Sequence, residues 1–77
     1  MYAKILNVSK MEDSISYKEV YYFDDDVIAY QRSNRIFNQS EIPAKQQEVL
    51  STLERLEGLI TAYQTLKAIE GIEITLE

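Results

Sequence analysis

Seventy-seven residues make one domain, read here as spanning 1–77, with no room for a second. The chain has no Cys and no His, which removes disulfide staples, thiolate ligands, the strongest protein nucleophile and the commonest general base. Thirteen acidic residues against eight basic ones give a net charge of −5, which repels nucleic acid and anionic membranes and favours basic partners. The same charge also serves simply to keep a small domain in solution.

Hydrophobic residues make up 45% of the chain, and two Gly and one Pro argue against disorder. Nothing approaches the roughly 18 apolar residues of a membrane span, and Met1 to Leu6 lacks the apolar stretch of a signal peptide. The expectation is a cytoplasmic protein.

In chain order, Tyr2 to Val8 is rich in β-formers and predicts a strand, with a polar turn over Ser9 to Ser14. Residues 15–23 alternate Ile15, Tyr17, Glu19, Tyr21 and Phe23 against Ser16, Lys18, Val20 and Tyr22, which predicts a second strand with one aromatic face. Asp24-Asp25-Asp26 interrupts it, and β character resumes over Val27 to Arg32. The triplet is read as the tip of a hairpin, with a bulged continuous strand as the alternative. Ser33-Asn34-Arg35 signals a further turn before Ile36-Phe37.

A helix follows. Ser40 is placed to cap it, Pro43 suits a first turn, and apolar residues recur from Val49 through Ile69 until Gly71 stops it. Pro43 to Glu70 as one rod is about 42 Å long at 1.5 Å per residue. A compact domain of this size has a diameter of roughly 30 Å. Either the helix kinks or breaks, or its overhang packs on another copy in a homodimer. The face opposite the apolar stripe, with Gly58 at its centre, is either solvated or a close helix crossing; a helical Gly costs about 1 kcal/mol relative to Ala. Ile72, Ile74 and Leu76 alternate with Glu73, Thr75 and Glu77, predicting a half-buried final strand. The expected architecture is therefore α+β in the order β-β-β-α-β, a small sheet with one long helix packed on it.

The chemistry-bearing constellations are few. Gly58 and Gly71 stand alone, so no phosphate-cradling loop exists. Asp24, Asp25 and Asp26 could offer oxygens to Ca²⁺ or Mg²⁺, but Ca²⁺ loops need six to eight ligands and a Gly-bearing turn. No metal, no cofactor and no catalysis is expected. Tyr17, Tyr21 and Tyr22 could stack on bases, yet Lys18, Arg32 and Arg35 are offset by neighbouring carboxylates, so direct nucleic-acid binding is not expected either. The converse is more attractive. On an extended segment, Asp24 and Asp26 would stand about 6.8 Å apart at 3.4 Å per residue, a spacing on the scale of nucleic-acid phosphates. Glu12, Asp13, Glu19, Asp24, Asp25 and Asp26 are the candidate partner-binding residues, a carboxylate array for a basic protein.

Over its full length the chain resembles, in size and acidity, the small proteins by which bacteriophages take over their hosts. Among these it is most similar to the DNA-mimic inhibitors that Bacillus phages direct against the nucleoid protein HU. The resemblance is compositional and includes the acidic run Asp24–Asp26. It implies a compact α+β homodimer that occupies the DNA site of a basic DNA-binding protein of the host. The competing expectation is a structural or regulatory interaction module whose acidity is incidental.

Overall fold

The computed structural model describes residues 1–76. Three strands come first: β1 (Tyr2–Lys10), β2 (Ile15–Tyr22) and β3 (Ile28–Ile36). They form an antiparallel meander in the order β1-β2-β3. A 3₁₀ turn (Gln39–Glu41) leads into α1 (Ile42–Leu56) and α2 (Gly58–Ala68). The α+β class and the β-β-β-α order agree with the sequence reading.

Alternation along β2 sorts its side chains onto two faces. Tyr17, Glu19 and Tyr21 lie on one face and are all buried, beneath the helix that supplies Thr52 and Leu56. On the other face Tyr2 and Tyr22 stack at 4.9 Å, with the Lys4 ammonium over both rings. β1 carries an irregularity between Leu6 and Ser9, where Asn7 takes a left-handed conformation (φ 53°). An extra residue there inverts the alternation. Ile5 pairs with Glu19 and Lys10 with Ile15, so even-numbered residues past the bulge share the face of odd-numbered ones before it.

Several local expectations are corrected. β3 runs through Ser33-Asn34-Arg35 without turning, because each of these residues pairs with β2: Lys18, Tyr17 and Ser16 respectively. Ser40 caps nothing: Asn38 caps the 3₁₀ turn before α1, and α1 itself starts from Glu41 without a side-chain cap bond. The Asn38 Oδ1 accepts the Ser40 amide at 2.9 Å, and the Glu41 carboxylate accepts the Phe37 and Asn38 amides in return, a reciprocal capping box. Pro43 does sit in the first turn of α1, where its missing N–H costs nothing.

The helix bends at Glu57 yet does not fold back. Glu57 keeps helical dihedrals (φ −57°, ψ −33°), and α2 continues beyond the sheet. The molecule measures 60 × 23 × 21 Å with a radius of gyration of 17.1 Å. A compact chain of this length would have a radius near 11–12 Å, so the overhang anticipated from helix length persists despite the bend. Gly58 is exposed and nothing lies within 4 Å of its notional Cβ. Gly71 ends the helical region at φ +82°.

The final strand is not formed. Ile72 to Leu76 pairs with no strand, and Ile74 is 86% exposed. A strand needs an edge within reach, and this segment leaves the helix at the end that projects past the sheet. Glu77 lies outside the described residues. No helix among the described residues is long and apolar enough to cross a membrane.

Candidate functional site: an acidic hairpin tip

The β2–β3 connection is a tight loop whose geometry follows from its residues. Phe23 N donates to Val27 O at 2.8 Å, and Asp26 N donates to Phe23 O at 3.0 Å. Asp26 then takes a left-handed conformation at φ 67°. A type I turn followed by one left-handed residue is the usual three-residue hairpin loop, and Asp tolerates that conformation better than most residues. The Asp25 carboxylate accepts the Val27 amide at 3.3 Å, which closes the turn locally. The triplet is therefore the hairpin tip. It is not extended, so the 6.8 Å alternate-residue spacing expected for Asp24 and Asp26 does not apply.

Each triplet carboxylate has a distant partner. The Met1 ammonium donates to Asp24 Oδ1, and the Tyr2 hydroxyl donates to Asp26 Oδ1. Tyr63 of α2 donates to Asp25 Oδ2 at 3.3 Å while its ring stacks on Phe23 at 4.7 Å. The hydrogen bond to Asp26 pushes the Tyr2 phenol up to about 12, with burial and nearby carboxylates adding to the effect. Two of the three donors are thus neutral phenols. They fix Asp25 and Asp26 in position without cancelling their charge. The three carboxylates do not converge on a common point, and no group of three or more potential metal ligands exists among the described residues.

The remaining candidates are dispersed. Glu12 and Asp13 are exposed in the β1–β2 turn, at the far end of β2 from the triplet. Eight strand residues separate the two turns by about 27 Å. Glu19 is not on the surface at all: its side chain is 0% exposed. Tyr21 Oη donates to its Oε1 at 2.5 Å, Arg32 Nε to the same oxygen at 3.0 Å, and Asn34 Nδ2 to Oε2 at 3.0 Å. Arg32 Nη2 also reaches Thr52 Oγ1 at 3.2 Å, and Thr52 donates to the Glu48 carbonyl at 2.7 Å. Burial pushes the Glu19 carboxyl up, but the hydrogen bonds from Tyr21, Asn34 and Arg32 together outweigh it and hold it below its ordinary value. Burial, and next its bond to Glu19, push the Tyr21 phenol up. Glu19 ties β2 to β3, Arg32 carries the link on to Thr52 of α1, and burial removes Glu19 from the partner-binding set.

Sequence reasoning missed Tyr2 and Tyr63 as the groups that hold the tip. The Tyr2–Tyr22 register would follow from a correct β1–β2 pairing. Nothing local signals Tyr63, which lies 38 residues from Asp25.

A second feature is an open groove of about 800 Å³ at the opposite end of the molecule, between the sheet and the first half of α1. Its walls are mainly apolar, with Ile5, Val8, Ile15, Ile42 and Leu50 left substantially in water. Comparison with protein-family models, with curated proteins and with solved structures finds no match to this chain.

Proposed function

We propose that this protein is a non-catalytic acidic inhibitor that binds a basic DNA-binding protein, such as a nucleoid protein of the HU type, and competes with DNA for its site. The observation that carries the reading is the anchored tip. Asp25 and Asp26 are positioned by Tyr63 and Tyr2, donors that leave both carboxylates negative. A charge held in place before binding loses less entropy on association than one on a free side chain. Individual exposed ion pairs contribute only about 0–1 kcal/mol, so an array is required. The net charge of −5 supplies the long-range attraction to a basic surface. The compartment that fits is a bacterial cytoplasm, that of an infected host if the gene is phage-borne.

The test is a competition titration. A purified nucleoid protein is bound to labelled duplex DNA at low salt and titrated with this protein, which should release the DNA. Release should weaken steeply as ionic strength rises, because charge pairs are screened over about 8–10 Å at physiological salt. Asp25→Asn together with Asp26→Asn should weaken release while circular dichroism stays unchanged. Failure of the parent protein to displace DNA from any basic partner at low salt would remove this reading.

A second reading rests on the same bonds. Every triplet carboxylate already has a partner within the chain. On that basis the tip is a structural clasp between the hairpin, the N-terminus and α2, and the protein is a structural or regulatory interaction module whose acidity is incidental. Salt-insensitive binding to a partner would favour this module.

A further inference from the structure

We propose that the C-terminal segment Ile72–Leu76 of one molecule seats, extended, in the apolar groove of a second copy of this chain. The inference is independent of the basic partner and concerns the end of the molecule remote from the acidic tip.

Three features of the groove define what fits. Its walls are apolar: Val8 is 66% exposed and Ile5 50%. The bulge at Asn7 brings Val8 onto the same face as Ile5, so the opening is a consequence of a specific backbone irregularity. Tyr17, only 9% exposed, lines the groove, and its hydroxyl has no hydrogen-bond partner among the described residues. The hydroxyl oxygen itself is sealed from solvent, so Tyr17 offers the groove the apolar part of its ring and no reachable donor. The charge in the lining is that of Lys45, which Glu48 of the same helix already meets in part at 3.6 Å. Lys10 joins it on the same face through its pairing with Ile15.

The segment Ile72–Leu76 meets each requirement. Extended, it places Ile72, Ile74 and Leu76 on one side, and all three are exposed in the structure. Its one charged residue is Glu73, opposite in sign to Lys45 and Lys10. The alternation that predicts a strand here is otherwise unexplained by the fold.

The occupant must come from another molecule. The groove is walled by α1 up to Leu50, whereas the helical region ends at Ala68. Eighteen helical residues carry the chain about 27 Å away from it. Ile69 to Gly71 are held in turns, and the five extended residues after them reach back at most about 18 Å. The tail therefore falls short of its own groove, and a reciprocal exchange between two copies satisfies both grooves.

The chain has no native cysteine, which makes the test direct. Val8→Cys and Ile74→Cys are made separately, both at exposed positions where folding is insensitive to the change. Mixed under mild oxidant, they should give a mixed disulfide of twice the 9.0 kDa chain mass, faster than either protein alone. Independently, light scattering of the parent should give the dimer mass. Ile72→Asp with Ile74→Asp should give the monomer mass with an unchanged circular dichroism spectrum and melting curve cooperativity. A synthetic peptide of residues 69–77 should bind this monomeric variant at least tenfold more tightly than it binds the same variant carrying Val8→Asp. A monomeric parent, a dimer that survives the tail substitutions, or a mixed disulfide no faster than the homogeneous ones overturns the proposal.

Discussion

Replacing Glu19 by Leu should be the most destructive single surface-neutral change in the protein. The side chain is fully buried and accepts from three donors on two strands. Leu is close to it in volume, so the loss is one of polar partners and not of packing. The Tyr21 hydroxyl, on a residue that is itself 0% exposed, would be stranded at a cost of about 1–3 kcal/mol. Arg32 would lose its charged acceptor, worth about 1.5–3 kcal/mol, but its side chain is 30% exposed and recovers part of that from water. A net loss of ~3 kcal/mol is expected, out of a total of roughly 4–12 kcal/mol for a chain of this size. At about 4–8 °C per kcal/mol, the melting temperature should fall by ~12–24 °C. Thermal and urea unfolding followed by circular dichroism at pH 7 measure it. Adding Arg32→Met and Tyr21→Phe to Glu19→Leu should restore most of the loss, because two of the three donors go with their acceptor and only the half-buried Asn34 amide is left unmet. A loss under about 1 kcal/mol for Glu19→Leu, or a triple variant less stable than the single one, would refute the assignment of Glu19 as the polar keystone.

The pH dependence follows from the same carboxyl. Its folded pKa lies below its ordinary 4.5, so its contribution is fully present above that value and is lost as pH falls through the lowered folded value. The melting-temperature gap between the parent and Glu19→Gln should therefore hold from neutrality to about pH 5 and narrow below it, which a series of melts checks. Asp26→Asn should bring the Tyr2 phenol down from about 12 toward its ordinary 10, seen in a spectrophotometric tyrosine titration. Tyr63→Ala removes a stacked pair worth about 0.5–1.5 kcal/mol beyond burial, and amide exchange should speed up through α2 while β2 stays protected. Gly58→Ala should stabilise the protein by about 1 kcal/mol, since the site is open; a destabilisation would show that the position is crossed closely in the assembled protein.

Much of the fold was legible because it depends on short-range pattern. Alternation over Ile15–Phe23, the interruption at the triplet, and the stop at Gly71 all express local geometry. Alternation sets Glu19 on the aromatic face of β2, but it does not tell a buried carboxylate from a partner-binding one. What settles it is Arg32 and Asn34, brought opposite by a register that the sequence does not display. The Ser33-Asn34-Arg35 turn failed for the same reason, since pairing with β2 overrides local turn preference. The last strand shows the opposite failure. Ile72, Ile74 and Leu76 carry a strand pattern without a partner strand in their own chain, and pattern alone says nothing of where the partner is. At the tip, the acidic run was visible, but its anchors Tyr2 and Tyr63 come from sequence separations of 24 and 38.

The sequential order of the three strands also constrains how the chain acquires its structure. Each strand is adjacent to the one synthesised before it, so both hairpins close through loops of a few residues and incur little chain-closure entropy. Such topologies assemble quickly relative to sheets with distant pairings. The order of events has a chemical consequence. Until α1 arrives, Glu19, Tyr21 and Arg32 face water on an uncovered sheet, where the ion pair is tolerated at little cost. Docking of α1 then dehydrates the pair and adds the Thr52 contact in one step. If α1 docks after the sheet has formed, Thr52→Val should accelerate unfolding far more than it slows folding, a partition readable from the two limbs of a denaturant chevron.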